Sequence, residues 1–233
     1  MYIYMYLKDK NILFIHIPKT AGGTITKQLE RNSNGNILYG HFNLISWKNI
    51  ENINIDSTYI FSIVRNPWER MVSLYFWTRE YIDGKKNPSH QENHKSYYSD
   101  DNNINDNFNL WLKWVYDNKD NLKKIKLITI NKNYIMNVFE GQFCNQINYL
   151  QDENGNINNN IKIFTTDMLS DTFLDNLFKN ELKCNNYNFT KNNNIHKTNH
   201  CHYSKYYNDE SIQLIENYFS KDIQMFNFKF ETT

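Results

Sequence analysis

The chain has 233 residues, a formal net charge of +1 and 40% hydrophobic residues, which favours a single domain over residues 1–233 with a substantial core. The balanced charge excludes the basic excess typical of nucleic-acid-binding proteins, so any anion site must be local. Three cysteines without a CxxC pair, and the lack of a signal-peptide or membrane-anchor pattern, predict a soluble, cytoplasmic or otherwise intracellular protein.

The first part of the chain predicts a strand, a turn and a helix. Residues 11–17 are nearly all apolar and predict a buried strand, which Pro18 ends. A helix is expected over residues 24–31. Residues 37–39 then predict a short strand, and His41 follows it closely.

The same order repeats after residue 57. Residues 58–64 are rich in β-branched and aromatic residues and predict a second strand. Asn66 suits the N-cap of the next helix and Pro67 suits its first position. Helical spacing places Trp68, Met71, Val72 and Tyr75 toward the core, and Arg70, Ser73 and Trp77 on the opposite side.

The rest of the chain predicts more helix than strand. Residues 83–106 are polar and indicate a long insertion, while 122–130 fit a strand or a helix equally well. Further helices are expected over residues 43–50, 108–116, 170–182 and 209–219, and a further strand over 161–164. The repeated strand–loop–helix order favours an α/β three-layer sandwich with a central parallel sheet.

The turn at residues 18–24 carries groups that attract anions. Lys19 is a mobile cation, Thr20 and Thr24 offer hydroxyl donors, and the start of the next helix presents backbone N–H groups. The lysine precedes the glycines, whereas the GxxxxGK[ST] loop of kinases places its lysine after them. The turn therefore predicts a phosphate or sulfate site and disfavours a P-loop kinase.

Arg65 offers a second anion-binding group at a strand end, where ligands of α/β sheets collect. Only four arginines occur in this lysine-rich chain, so each arginine marks a possible need for a planar, bidentate donor. Arg65 with the Ser73 hydroxyl suits a terminal phosphate. The alternative is a structural role, in which Arg65 pairs with Glu69 or caps a helix.

The segments FIHIPKTAGGT (residues 14–24) and VRNPWERMVSLY (residues 64–75) resemble two motifs of one enzyme family. They are similar to the 5′-phosphosulfate loop and the 3′-phosphate motif of carbohydrate sulfotransferases that use 3′-phosphoadenosine 5′-phosphosulfate (PAPS). The heparan and chondroitin branch is the most similar. Looser similarity extends through most of the chain. The resemblance implies the P-loop-like nucleotide fold of sulfotransferases, with PAPS as donor and PAP as product.

The resemblance also implies roles for individual residues. Arg65 and Ser73 would hold the 3′-phosphate, and a loop near Lys197 would close over the nucleotide. The 5′-phosphosulfate would be held by Lys19, Thr20, Ala21, Gly22, Gly23 and Thr24. The acceptor-contacting loops have no identifiable counterpart, so a carbohydrate is implied, while a protein tyrosine or a small alcohol stays open.

The expected reaction is sulfuryl transfer to an acceptor hydroxyl, with Lys19 stabilising the leaving phosphate and His41 as general base. No metal is expected, because the sulfuryl group carries less charge than a phosphoryl group. The spacing of His196, His200 and His202 also does not match a common zinc pattern. Two alternatives remain, a P-loop-type nucleotide or small-molecule kinase and a non-catalytic nucleotide- or glycan-binding protein.

Overall fold

The computed structural model describes residues 5–34, 37–38, 43–82, 107–130, 134–189 and 200–232. The chain divides into two compact units. One consists of Met1–Arg65 with Gln146–His196, and the other consists of Asn66–Asn145 with Lys197–Thr233. We call them the sheet unit and the helical unit, after the elements that dominate each.

The elements alternate between strands and helices over much of the chain. The strands are β1 (Met5–Leu7), β2 (Ile12–Ile15), β3 (Ile37–Leu38), β4 (Tyr59–Val64), β5 (Lys126–Ile130), β6 (Tyr134–Asn137) and β7 (Ile161–Thr165). The α-helices are α1 (Gly22–Glu30), α2 (Leu44–Glu51), α3 (Pro67–Ile82), α4 (Phe108–Asp117), α5 (Lys119–Leu122), α6 (Val138–Gln142), α7 (Asp171–Asn176), α8 (Asp209–Tyr218) and α9 (Ser220–Phe226). Short 3₁₀ turns lie at Gln146–Tyr149, Thr166–Met168 and Tyr203–Tyr206, and a π-helical turn, Leu177–Glu181, extends α7.

The sheet unit is built on a five-stranded sheet with the order β3-β1-β2-β4-β7. Strands β2, β4 and β7 run parallel, and β1 runs antiparallel to both of its neighbours. All four residues of β2 are buried, so this strand is covered on both faces. One face packs against α1 and α7 through apolar side chains that include Phe14, Ile25, Phe61 and Leu174. The predicted α/β class with parallel strands at its centre is confirmed.

The helical unit has a core rich in aromatic rings. Helix α3 contributes Tyr75, whose ring centroid lies 5.6 Å from that of Phe108 and 5.3 Å from that of Trp111, both on α4. Phe219, between α8 and α9, belongs to the same core. Strands β5 and β6 form an antiparallel pair. The ambiguous segment 122–130 therefore contains the end of one helix and then a strand.

Most predicted elements are confirmed within one to three residues of their expected bounds. Asn66 accepts from the Trp68 amide over 3.1 Å, as an N-cap should, and the Ser170 side chain accepts from the Phe173 amide over 3.2 Å. Strand β1 was not expected, because three residues are too few to show an alternating pattern. The polar insertion at 83–106 lies outside the described residues.

The predicted outer face of helix α3 is wrong at two positions. Arg70 is 0% exposed and Ser73 is 4% exposed, so both are buried. Arg70 is tolerated there because Nη1 donates to the Cys144 carbonyl over 3.0 Å and Nη2 donates to the Gln142 carbonyl over 2.8 Å. These carbonyls lie at and just beyond the end of α6, where a cation is favourable. Arg70 therefore stabilises the helical unit.

Burial also shifts the acidity of groups around Arg70. Burial raises the pKa of Tyr116 well above its usual value, and the nearby Arg70 charge opposes that shift. Asp222 is 0% exposed and acts electrostatically on the same tyrosine. The helical unit thus encloses opposite charges in its core.

Within the described residues, no helix combines the length and the apolar character needed to cross a membrane. Cys144, Cys184 and Cys201 are all free thiols.

Candidate functional site

Two basic residues meet at the carboxyl edge of the sheet unit. Strands β2 and β4 are parallel neighbours with Ile15 opposite Ser62, and the Ser62 hydroxyl donates to the Ile15 carbonyl over 2.6 Å. The chain leaves β2 toward Lys19 and leaves β4 at Arg65. Arg65 Nη1 donates to the backbone carbonyl of Lys19 over 3.1 Å. Lys19 and Arg65, one residue from each motif, therefore meet within the sheet unit.

The loop between β2 and α1 has an unusual backbone. Lys19 (φ 69°) and Ala21 (φ 65°) both adopt the left-handed conformation. This conformation costs a residue with a Cβ about 1–2 kcal/mol, and such strain collects at ligand-binding sites. Left-handed Ala21 followed by helical Gly22 turns consecutive backbone amides toward one side, as in an anion-binding nest. This backbone conformation is one in which loop amides can bind an anion.

Helix α1 begins without a side-chain cap. Helices α2, α4, α7 and α8 each begin after an Asn or Ser whose side chain accepts from a first-turn amide. Ala21 precedes α1 and carries no such acceptor, although Thr24 donates its amide to the Ala21 carbonyl over 3.1 Å. Alanine is about 1 kcal/mol less favourable at an N-cap than Asn or Ser. A bound anion would supply the missing acceptor.

Gly22 is required by packing rather than by its backbone angles. A Cβ at this position would lie 1.9 Å from His16 Cδ2 and 2.0 Å from His16 Nε2. His16 is buried and its ring stacks on Phe14 with centroids 5.6 Å apart. The start of α1 therefore lies directly against the His16 ring. His16 is therefore a core residue of the sheet unit.

The loop side chains differ in exposure. Thr20 is fully buried and its hydroxyl donates to the Ile17 carbonyl over 2.8 Å. This bond shapes the turn, and the contact of Thr20 with a ligand stays a prediction. Lys19, Gly23 and Thr24 are half-buried and Ala21 is exposed. Exposed and half-buried positions thus alternate with buried ones along the loop.

Gln146 is part of this site, and sequence reasoning missed it. Its Oε1 accepts from the Arg65 amide over 2.9 Å, and its Nε2 donates to the Arg65 carbonyl over 2.8 Å. Gln146 is 0% exposed. The residue is 81 positions from Arg65 in the chain and lies in a segment without periodicity, so nothing in the sequence indicates the contact.

The described structure does not test the roles of three predicted site residues. Ser73 lies on α3 in the helical unit and is 4% exposed. His41 and Lys197 lie outside the described residues. Their roles as phosphate ligand, general base and nucleotide-loop residue stay predictions.

The chemistry of the edge is that of an anion site. The Arg65 guanidinium group contacts the backbone of Lys19 in the loop that leads to the positive end of α1, and the first turn of α1 contains no acidic residue. Among the described residues, no cluster of three or more His, Cys, Asp or Glu side chains is arranged to hold a metal ion.

Comparison with known families agrees with this chemistry. A family model described as the Sulfotransferase family matches residues 3–229, which include both strand-end motifs. No curated protein and no solved structure gives a significant match. Because the family match spans almost the whole sequence, the chain belongs to the sulfotransferase family, and its activity is sulfuryl transfer to a hydroxyl-bearing acceptor.

Proposed function

We propose that the protein transfers the sulfuryl group of PAPS to a hydroxyl of a carbohydrate. The observation that carries this proposal is the contact between Arg65 and the backbone of Lys19 at the ends of two parallel strands. Family membership makes the reaction a sulfuryl transfer. Two basic residues at adjacent strand ends suit a donor with phosphate at both ends. We treat residues 1–233 as one sulfotransferase domain.

The Lys19 loop is proposed to hold the 5′-phosphosulfate. The amides around Ala21, Gly22 and Gly23 would donate to its oxygens, and the open start of α1 would add its dipole. The Lys19 ammonium group and the hydroxyls of Thr20 and Thr24 are the candidate donors from side chains. The strained backbone of Lys19 and Ala21 supports this role, because it presents these groups without rearrangement on binding.

Arg65 is proposed to hold the 3′-phosphate. Its guanidinium group donates to the Lys19 carbonyl, and the planar set of N–H donors of a guanidinium suits a phosphate group. Arg65 is half-buried, so its interaction with an anion is screened less than at an open surface. Ser73 and Lys197 are proposed to complete the contacts with the nucleotide.

The donor supplies an activated sulfuryl group. In the proposed step a bond forms between the acceptor oxygen and sulfur, while the bond between sulfur and the bridging phosphate oxygen breaks. PAP leaves with that electron pair, and Lys19 with the loop amides stabilises the charge on its 5′-phosphate. His41 is proposed to accept the proton of the acceptor hydroxyl, since an ordinary histidine pKa near 6.5 suits a base at neutral pH.

Transfer of ³⁵S from labelled PAPS to a mixture of oligosaccharides tests the proposal. Lys19→Asn is a suitable control, because it removes the charge and asparagine tolerates the left-handed backbone of position 19. The wild-type protein should label an oligosaccharide, and the variant should lose at least about 100-fold in rate. Transfer from ATP but not from PAPS would favour a kinase. Binding of PAP without transfer to any acceptor in the panel would favour a non-catalytic binding protein.

A further inference from the structure

Building on the proposed function, we propose that Gln146 is a positioning residue that determines preference for a 3′-phosphorylated nucleotide. Gln146 would not touch the ligand. It fixes the backbone of Arg65, and Arg65 would bind the 3′-phosphate.

The contact geometry is that of a strand neighbour supplied by one side chain. Pairing between β4 and β7 ends at Val64 opposite Thr165. Arg65 is the next residue, and Gln146 provides the acceptor for its N–H and the donor for its C=O. The Gln146 amide therefore continues the hydrogen-bond pattern of the sheet by one residue. This fixes the direction in which the Arg65 side chain leaves the strand.

Burial makes this arrangement specific. Gln146 is 0% exposed, so a misplaced side-chain amide would leave buried polar groups unsatisfied. The two bonds to one residue are therefore the stable state. Gln146 also begins a 3₁₀ turn, Gln146–Tyr149, which limits the movement of its own backbone.

The effect of Gln146 extends to the loop between β2 and α1, which contains Lys19. Arg65 Nη1 donates to the carbonyl of Lys19, the residue with φ 69°. A chain of hydrogen bonds thus runs from Gln146 through the Arg65 backbone and side chain to the strained loop. Loss of Gln146 would affect the 3′-phosphate contact first and the 5′ contact only through this chain.

The sheet unit contains a matched control for Gln146. Gln28 is also 0% exposed, its Nε2 donates to the Asn188 carbonyl over 2.7 Å, and its Oε1 accepts from the Asn188 amide over 2.8 Å. Gln28 therefore makes the same pair of bonds, but to a residue that carries no predicted phosphate contact. Replacing either glutamine with methionine removes similar bonds and keeps a similar volume.

The test compares dissociation constants for PAP and for adenosine 5′-monophosphate, which lacks the 3′-phosphate. Gln146→Met should weaken PAP binding about tenfold and leave binding of the monophosphate within about twofold. Gln28→Met should lower stability without changing the ratio of the two constants. In an Arg65→Ala background, Gln146→Met should have no further effect on PAP, because the two residues act as one unit.

A second variant covers the case in which Gln146→Met does not fold. Gln146→Glu keeps one acceptor, and its carboxyl group regains a donor only when protonated. At pH 7 its preference for PAP should therefore fall below that of the wild-type protein, because the Arg65 carbonyl loses its donor.

The outcomes separate the two proposals. A wild-type protein that binds PAP no better than the monophosphate overturns the proposed function and this inference with it. A wild-type preference that Gln146→Met leaves intact, or that Gln28→Met reduces equally, overturns the role of Gln146 alone. A Gln146→Glu protein that prefers PAP as strongly as the wild type at pH 7 also counts against that role.

Discussion

The substitution Gly22→Ala tests the packing of the start of α1 against the His16 ring. The added Cβ would lie 1.9, 2.0 and 2.4 Å from three atoms of the His16 ring. One of these is Cγ, the ring atom nearest the backbone, so the ring cannot escape by a small tilt. The phenylalanine ring stacked against His16 further limits its movement.

The expected cost is large for a single methyl group. Overpacking of a buried site costs about 1–3 kcal/mol, and contacts this short place Gly22→Ala at the upper end. A chain of this size loses about 2–4 °C in Tm for each kcal/mol. We therefore expect a fall of about 6–12 °C in thermal unfolding, followed by circular dichroism. PAP affinity should fall as well, because the start of α1 moves.

A double variant identifies the cause. In a His16→Ala background the ring is absent, so Gly22→Ala should cost less than about 1 kcal/mol. Equal costs in both backgrounds, or a Gly22→Ala protein as stable as the wild type, would refute this reasoning.

The neighbouring position provides a control of opposite sign. Ala21 has φ 65°, so Ala21→Gly relieves about 1–2 kcal/mol of backbone strain in the folded state. Glycine also makes the unfolded chain more flexible, which lowers stability by about 0.4–1 kcal/mol. Ala21→Gly should therefore raise stability slightly. A fall in stability for Ala21→Gly would contradict the assignment of strain to this residue.

Three further predictions concern the two units separately. Arg70→Met should lower the free energy of unfolding, measured in urea, by about 3–5 kcal/mol, because two buried carbonyls lose their donor. The control Arg31→Met removes an exposed arginine and should lower the free energy of unfolding by less than about 1 kcal/mol. The pKa of Glu181 lies below its usual value because Lys162 and then Tyr59 donate to it, so its contribution is complete above the unfolded pKa near 4.3 and is lost as pH falls through the lower folded value. Urea midpoints at pH 7 and pH 3 should accordingly differ less in Glu181→Gln than in the wild type. His41→Ala should reduce turnover by about 10²–10⁴-fold while PAP still binds, and unchanged turnover would exclude His41 as the base.

Local sequence patterns were sufficient to predict the strand ends that carry the site. Short apolar runs before Lys19 and Arg65 predict β2 and β4, and such runs are typical of parallel strands buried on both faces. Parallel neighbours bring their carboxyl ends to one edge, so the meeting of the two residues follows from the order of elements. The antiparallel edge strand β1 is too short to be predicted in this way.

Helical periodicity failed on α3 for a physical reason. An argument from helical periodicity assumes that a helix has one polar, exposed face. Most side chains around α3 are buried, and Arg70 and Ser73 are among them. A buried arginine is stable only with specific carbonyl partners, and those partners come from α6, more than 70 residues later. No local pattern can supply such information.

The role of Gly22 also could not be predicted from the sequence. A glycine in a turn often supplies a left-handed conformation, whereas in this loop the left-handed conformations belong to Lys19 and Ala21. Gly22 is instead required by contact with His16, which depends on how α1 packs against β2. Gln146 is likewise known only from the tertiary contact with Arg65.

The measurement that tests the central claim most directly is calorimetric titration with PAP, adenosine 5′-monophosphate and adenosine 3′-monophosphate. Wild-type protein should bind PAP more tightly than either monophosphate. Lys19→Asn should weaken the 5′-monophosphate alone and Arg65→Ala the 3′-monophosphate alone, each by about tenfold or more, while both variants weaken PAP. No heat with PAP, or equal losses for both monophosphates in both variants, would contradict the claim that Lys19 and Arg65 hold opposite ends of one nucleotide.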